Sequence, residues 1–167
     1  MLTMYPNINY TMLDDDAVVP KYANDGDAGM DLVSIEDVSL FAGETMMVRT
    51  GIAIEIPRGF AGLVMPRSGL ALNGINLANC VGLIDSGYRG EVKVELHNNN
   101  PSRIIKREKG GISVRDNIEA FEVHKGDRIA QLVIVSVATA TMCLVNRLGA
   151  SQRGTEGFGS TGISERP

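Results

Sequence analysis

Apolar residues in this chain come in short runs, broken every few positions by residues that favour turns. Residues 45–56, TMMVRTGIAIEI, are followed by Pro57-Arg58-Gly59 and then by residues 60–65, FAGLVM, a rhythm of strand, tight turn and strand. Residues 91–96, 112–123 and 129–139 have the same character, and apolar stripes at i, i+3, i+4 are scarce. The pattern predicts an all-β fold of many short strands, a sandwich or barrel. One local helix is expected after Pro66-Arg67: Ser68 suits an N-cap, and residues 69–72 would form one or two turns before Asn73-Gly74 end them.

Composition fits this picture. The chain has 167 residues, the size of one domain on the usual scale of ~100–200. With 19 Gly, no Trp and 5% aromatics, turns should be many and helix scarce, because Gly is costly inside helices. A formal charge of −4 argues against a broad basic face, so no nucleic-acid partner is expected. The longest mostly apolar run, 129–145, is interrupted by Gln131, Ser136, Thr139 and Thr141, which reads as a buried strand and not as a membrane span. Residues 1–16 lack the basic and apolar regions of a signal peptide. Cys80 and Cys143 are too few for a disulfide framework or a zinc site, so a reduced, intracellular and cytoplasmic setting is expected.

Two segments depart from the average. Residues 103–109, RIIKREK, carry a local charge of +3, which leaves −7 on the rest of the chain. From Gly149 onward the sequence is rich in Gly, Ser and Thr with the single aromatic Phe158. Such a tail cannot bury enough apolar area to offset its ordering entropy, so it should stay mobile until something captures it. The expected division is a β-domain over 1–149 and an arm over 150–167.

Candidate chemistry sits in the turns. Residues 66–70, PRSGL, place the guanidinium of Arg67, the hydroxyl of Ser68 and the open backbone of Gly69 at a helix start, a natural seat for phosphate. Taken alone, such a segment is more often an ordinary capped turn. Residues 82–91, GLIDSGYRGE, hold Asp85 three positions before Tyr88, a base and a rigid wall that can face one small ligand. The plain alternative is a hairpin whose Asp accepts backbone N–H bonds. Asn79 offers the donor and acceptor pair suited to a nucleobase edge, or is simply an exposed turn residue. Residues 153–162, RGTEGFGSTG, join a cation, an aromatic ring and hydroxyls on a Gly-spaced arm, as a closing lid requires. A Walker-type phosphate loop is excluded by the lack of GxxxxGK[ST].

In order along the chain, DAGMDL (27–32), PRSGL (66–70), GLIDSGYRGEV (82–92), GDRIAQLVI (126–134) and RGTEGFGSTG (153–162) resemble the five motifs of the trimeric dUTP pyrophosphatases, the dUTPase family. The resemblance implies a jelly-roll-like β fold, a homotrimer whose active sites each draw on three subunits, and Mg²⁺-dependent hydrolysis of dUTP to dUMP and pyrophosphate. Such a reaction keeps uracil out of DNA and supplies dUMP for thymidylate synthesis. It further implies that Asp85 deprotonates the water attacking the α-phosphorus and that Tyr88 packs under the deoxyribose. Asn79, with the backbone of Gly82, Leu83 and Ile84, would read uracil. Arg67, Ser68, Gly69 and Gln131 would contact phosphates, with Lys93 also among the substrate contacts. Arg153, Phe158, Gly159, Ser160 and Thr161 would close over the nucleotide, Phe158 stacking on the base. Asp31 is implied as a supporting acid, Arg128 as a structural residue, and Mg²⁺ as held by triphosphate and water without direct protein ligands.

Departures from the family pattern are Glu156 where Gly is common, Gly87 where an acid is common, and a longer segment over about 101–124. That segment reads as a solvated hairpin or as a docking surface for a protein partner, of a kind that some longer phage members resemble. The rival readings are the related dCTP deaminases, which share the fold, and a nucleotide-switched regulatory protein that binds a partner through 101–124.

Overall fold

The computed structural model describes residues 6–108, 111–116, 119–155 and 157, and for 104–108 and 111–116 the backbone alone. The order begins with β1 (Asn9–Met12), β2 (Met30–Val33), β3 (Val38–Leu40), β4 (Thr45–Val48), β5 (Ile52–Glu55) and β6 (Phe60–Met65). A short helix, α1 (Ser68–Ala71), precedes β7 (Ile75–Leu77), β8 (Gly82–Ile84) and β9 (Val94–Asn98). The hairpin strands β10 (Arg103–Glu108) and β11 (Gly111–Asp116) come next, then β12 (Phe121–Val123) and β13 (Arg128–Ser136).

All the strand pairs are antiparallel. The main sheet runs β2-β13-β6-β8 and a second runs β4-β9-β7, with the pairs β1-β5, β3-β12 and β10-β11 beside them. Alternation along the strands turns Leu32, Val64 and Leu132 of the first sheet, and Val48, Ile75, Val94 and Leu96 of the second, into one shared core. This is the all-β architecture of many short strands that the short apolar runs predict, in the jelly-roll-like form that the family resemblance implies. The Pro57–Phe60 turn closes with the Phe60 N–H donating to the Pro57 carbonyl at 3.2 Å, and Gly59 takes φ +87°, a conformation that suits Gly.

Four local expectations need correction. The run 112–123 is two strands in different sheets, because β11 has β10 as its partner and β12 has β3. The run 91–96 enters the ladder only at Val94. Glu91 makes a lone bridge with Ala53 and turns its carboxylate to the Gly51 N–H at 2.9 Å. The run 129–139 stops at Ser136, where β6, its partner, starts at Phe60. The helix cap is Arg67 in extended conformation, and Ser68 is the first helical residue with no side-chain cap bond. Arg67 stays extended so that its side chain can reach back to β2 and β13, which moves the cap one position upstream.

Candidate active site

Three elements converge on Asp31. It lies in β2 opposite Gln131 of β13, and Gln131 in turn pairs with Met65 at the end of β6. Arg67 Nε lies 3.1 Å from Asp31 Oδ1, and Arg128 Nη1 lies 3.3 Å from Oδ2. Arg67 Nη1 also donates to the Arg128 carbonyl at 3.0 Å. Arg67 Nε is shut off from water yet makes no directed hydrogen bond, so its link to Asp31 is an ion contact.

β13 carries an irregularity between Arg128 and Ala130: Arg128 pairs with Val33 and Gln131 with Asp31, so three residues span what two span on β2. The extra residue turns Arg128 and Gln131 to one face of the sheet while Ile129 and Ala130 are both buried. Beside this group, the N–H groups of Ser68 and Gly69 open α1 and have no intrahelical acceptor. The arrangement gathers two guanidiniums, an amide and open backbone donors around one acid, a set that can neutralise an anion.

A second group lies on the β8 turn. The Tyr88 N–H donates to the Asp85 carbonyl at 3.0 Å and closes a tight turn directly after β8. The carboxylate of Asp85 is exposed and has no hydrogen bond or ion pair among the described residues. It is therefore not the backbone-satisfied hairpin Asp of the plain alternative. The Tyr88 hydroxyl donates to the Glu91 carbonyl at 3.0 Å, which lays the ring over Gly90. Behind the turn, Arg89 Nη1 donates to the carbonyls of Ser86 at 2.8 Å and Tyr88 at 2.7 Å, and Nη2 meets Glu55 Oε1 at 2.7 Å. Glu55 also accepts from Asn9 Nδ2 at 3.1 Å. The Asn9 bond first, then the Arg89 charge, holds the Glu55 carboxyl below its ordinary range.

Asn79 is exposed on the connection from β7 to β8, where Cys80 takes φ +62°, a left-handed conformation costing a non-Gly residue roughly 1–2 kcal/mol. Bonds from the Cys80 N–H to Leu77 at 3.1 Å and from the Val81 N–H to Asn79 at 2.6 Å hold this bend. Lys93 is turned to Glu91, 3.7 Å away, on the side where Arg49 Nε also pairs with Glu91 at 3.2 Å. Those contacts with Glu91 push the Arg49 guanidinium further toward its charged form.

The structure thus brings Asp31, Arg67, Ser68, Gly69, Arg128 and Gln131 together on one side, and Asn79, Gly82, Leu83, Ile84, Asp85 and Tyr88 on the other. Among the described residues no side-chain hydrogen bond or ion pair joins the two groups. Arg153 is exposed beyond β13, and Phe158, Gly159, Ser160 and Thr161 lie outside the described residues, as does Glu156. Sequence reasoning missed Asn9, Glu55 and Gly90. Gly90 had a signal, since it follows the aromatic of the turn by two positions.

An antiparallel all-β domain with a cation group around an acid and an exposed carboxylate on a rigid, aromatic-backed turn has the makings of a nucleotide hydrolase. The comparisons make this specific. A family model described as dUTPase matches residues 15–111 and 105–162. A deoxyuridine 5'-triphosphate nucleotidohydrolase of Thermobifida fusca is 48% identical over 151 residues, covering 90% of this chain and 75% of that protein. Among solved structures, a mutant dUTPase of Staphylococcus bacteriophage 80alpha with dUpNHpp superposes with a TM-score of 0.82 at 28% identity, covering 95% of this chain and 100% of that one. A mutant dUTPase from phage phi11 of S. aureus, whose structure details the coordination of a structural Mg(II) ion, gives 0.73 at 30% identity, covering 87% and 100%. The chain belongs to the dUTPase family.

Proposed function

We propose that this chain hydrolyses dUTP to dUMP and pyrophosphate at sites assembled between three copies, the Asp31 group of one protomer facing the Asp85 turn of another. Activity follows from family membership; the observation that carries the residue roles is the free Asp85 carboxylate on a closed turn beside Tyr88. Asp85 takes a proton from water as its oxygen attacks the α-phosphorus, and the bond to the bridging oxygen breaks to release pyrophosphate. Arg67, the Ser68 and Gly69 N–H groups and Gln131 neutralise the phosphates, with Lys93 at the rim of the nucleotide. Tyr88 fills the space under the sugar and excludes a 2′-hydroxyl, and Asn79 with the backbone of Gly82, Leu83 and Ile84 reads uracil.

The donor set fits Mg²⁺ carried by the substrate, since both Asp31 oxygens are already committed to Arg67 and Arg128. When bound, Mg²⁺ supplies charge neutralisation on the triphosphate. Asp31 and Arg128 support Arg67. Residues 150–167 form the closing arm on the 1–149 domain, through Arg153, Phe158, Gly159, Ser160 and Thr161. The separation of the two residue groups within one chain, and the exposed Met142, Leu144 and Leu148 after β13, support the trimer. Exposed free thiols at Cys80 and Cys143 suit the reduced cytoplasm.

Hydrolysis of dUTP, UTP, dTTP and dCTP, followed with Mg²⁺ present, tests this reading: dUTP alone should yield its monophosphate and pyrophosphate at speed. Asp85→Asn should lower kcat by roughly 10²–10⁴ and keep nucleotide affinity, since the amide preserves shape and removes the base. A parallel loss of affinity would make Asp85 structural.

A second reading concerns 101–124. The family model breaks and restarts across residues 105–111, and among the described residues β10 and β11 pair only with each other, which supports an added module that docks a protein partner.

A further inference from the structure

We propose that Glu55 is a positioning residue for Asp85 and Tyr88, acting through Arg89. The turn that carries these two groups has little of its own to hold it. Ser86 and Gly87 offer no apolar anchor, and the space around Gly87 is open. One backbone bond closes the turn, and a tight turn with a single bond samples several geometries.

Arg89 removes that freedom. Its Nη1 spans the Ser86 and Tyr88 carbonyls, so one planar group ties the middle of the turn to its exit. A guanidinium presents its donors in fixed directions, so anchoring Nη2 fixes where Nη1 points. Glu55 provides that anchor from β5, a strand whose Ile52 and Ile54 are buried in the core. Its second oxygen is held by Asn9, directly opposite on β1. The chain of contacts therefore runs from the β1-β5 ladder to the backbone between Asp85 and Tyr88 and to the carbonyl of Tyr88 itself.

Exposed ion pairs add little to folding stability, so the value of this contact lies in placement. Its carboxyl is depressed by the Asn9 bond and the Arg89 charge, and it stays ionised throughout the neutral range.

The inference rests on the roles given above to Asp85 and Tyr88, and the experiment separates the two. kcat and KM for dUTP and UTP, with Tm, are measured for the full chain and for Glu55→Ala, Glu55→Gln, Arg89→Ala, the Glu55→Ala/Arg89→Ala double and Asp85→Asn. Glu55→Ala should lower kcat for dUTP about tenfold and reduce the preference for dUTP over UTP by a similar factor, since small misplacements of reacting groups cost rates of this order. Tm should stay within about 2 °C, as for a surface change. Glu55→Gln keeps an acceptor for Arg89 and should recover most of the loss. Arg89→Ala should match Glu55→Ala, and the double should be no worse than either, as for two parts of one device.

Glu55→Ala with kcat and preference both within about twofold of the parent overturns the proposal, and so do losses that multiply in the double. A fall in Tm with unchanged preference makes the pair structural and overturns it too. If Asp85→Asn keeps turnover, the reading of the site fails and this one with it. If Asp85→Asn is dead and Glu55→Ala is unchanged, only the positioning role fails.

Discussion

Tyr88 can lie flat against the chain because residue 90 has no side chain. A Cβ there would fall 2.7 Å from Tyr88 Cζ, well inside van der Waals contact. Gly90→Ala must therefore tilt the ring away from the sugar position proposed above. The expected outcome is a fall of about tenfold in the dUTP-to-UTP ratio of kcat/KM, equivalent to about 1.4 kcal/mol of lost discrimination. Steady-state kinetics on both nucleotides checks it. At this scale the sequence was informative where contacts are local: Asp85 and Tyr88 sit three positions apart in one turn, and their spacing could be read directly. Glu55 could not be read that way. It meets Arg89 across 34 positions, and nothing in its own strand marks it as more than a solvent-facing residue.

Strands were legible where apolar runs are long and end in Gly or Pro, as in β4, β5 and β6. The strand β1, exposed along its whole length, carries no such pattern: beyond the Asn9–Glu55 side-chain bond, its link to β5 is a backbone ladder that leaves no apolar signature. Ladder partners also decide where strands stop, which is why residues 112–123 divide and residues 137–139 fall outside β13. The β10-β11 hairpin illustrates the opposite case. Among the described residues it pairs with no other strand, so replacing residues 103–116 by a short Gly-Ser link should leave dUTP turnover within about twofold. A turnover assay with a Tm measurement checks this; a large loss of either would place the hairpin in the working domain.

For the molecule as a whole, a net charge of −4 sits beside the site proposed here to receive a polyanion. The two are compatible because Arg67 and Arg128 are gathered by one acid instead of being spread over a face. The arm belongs to this scale as well. Removing residues 150–167 should reduce turnover by about 10²-fold or more, because closure excludes water and completes the contacts. Sedimentation of the shortened chain should still show the proposed trimer, and normal turnover would refute the arm's role.

β13 shows how so small a domain fits both a core and a site into nine residues. Its extra residue works as a change of phase. Upstream and downstream of Ile129 the strand is read in opposite registers, so the inward code of Leu132 and the outward code of Arg128 and Gln131 share one stretch of chain. Removing Ile129 would leave Arg128 and Gln131 two positions apart and still on one face of a regular strand, so what the extra residue adds is a second buried side chain between two outward ones, a gain for the core made without moving the site.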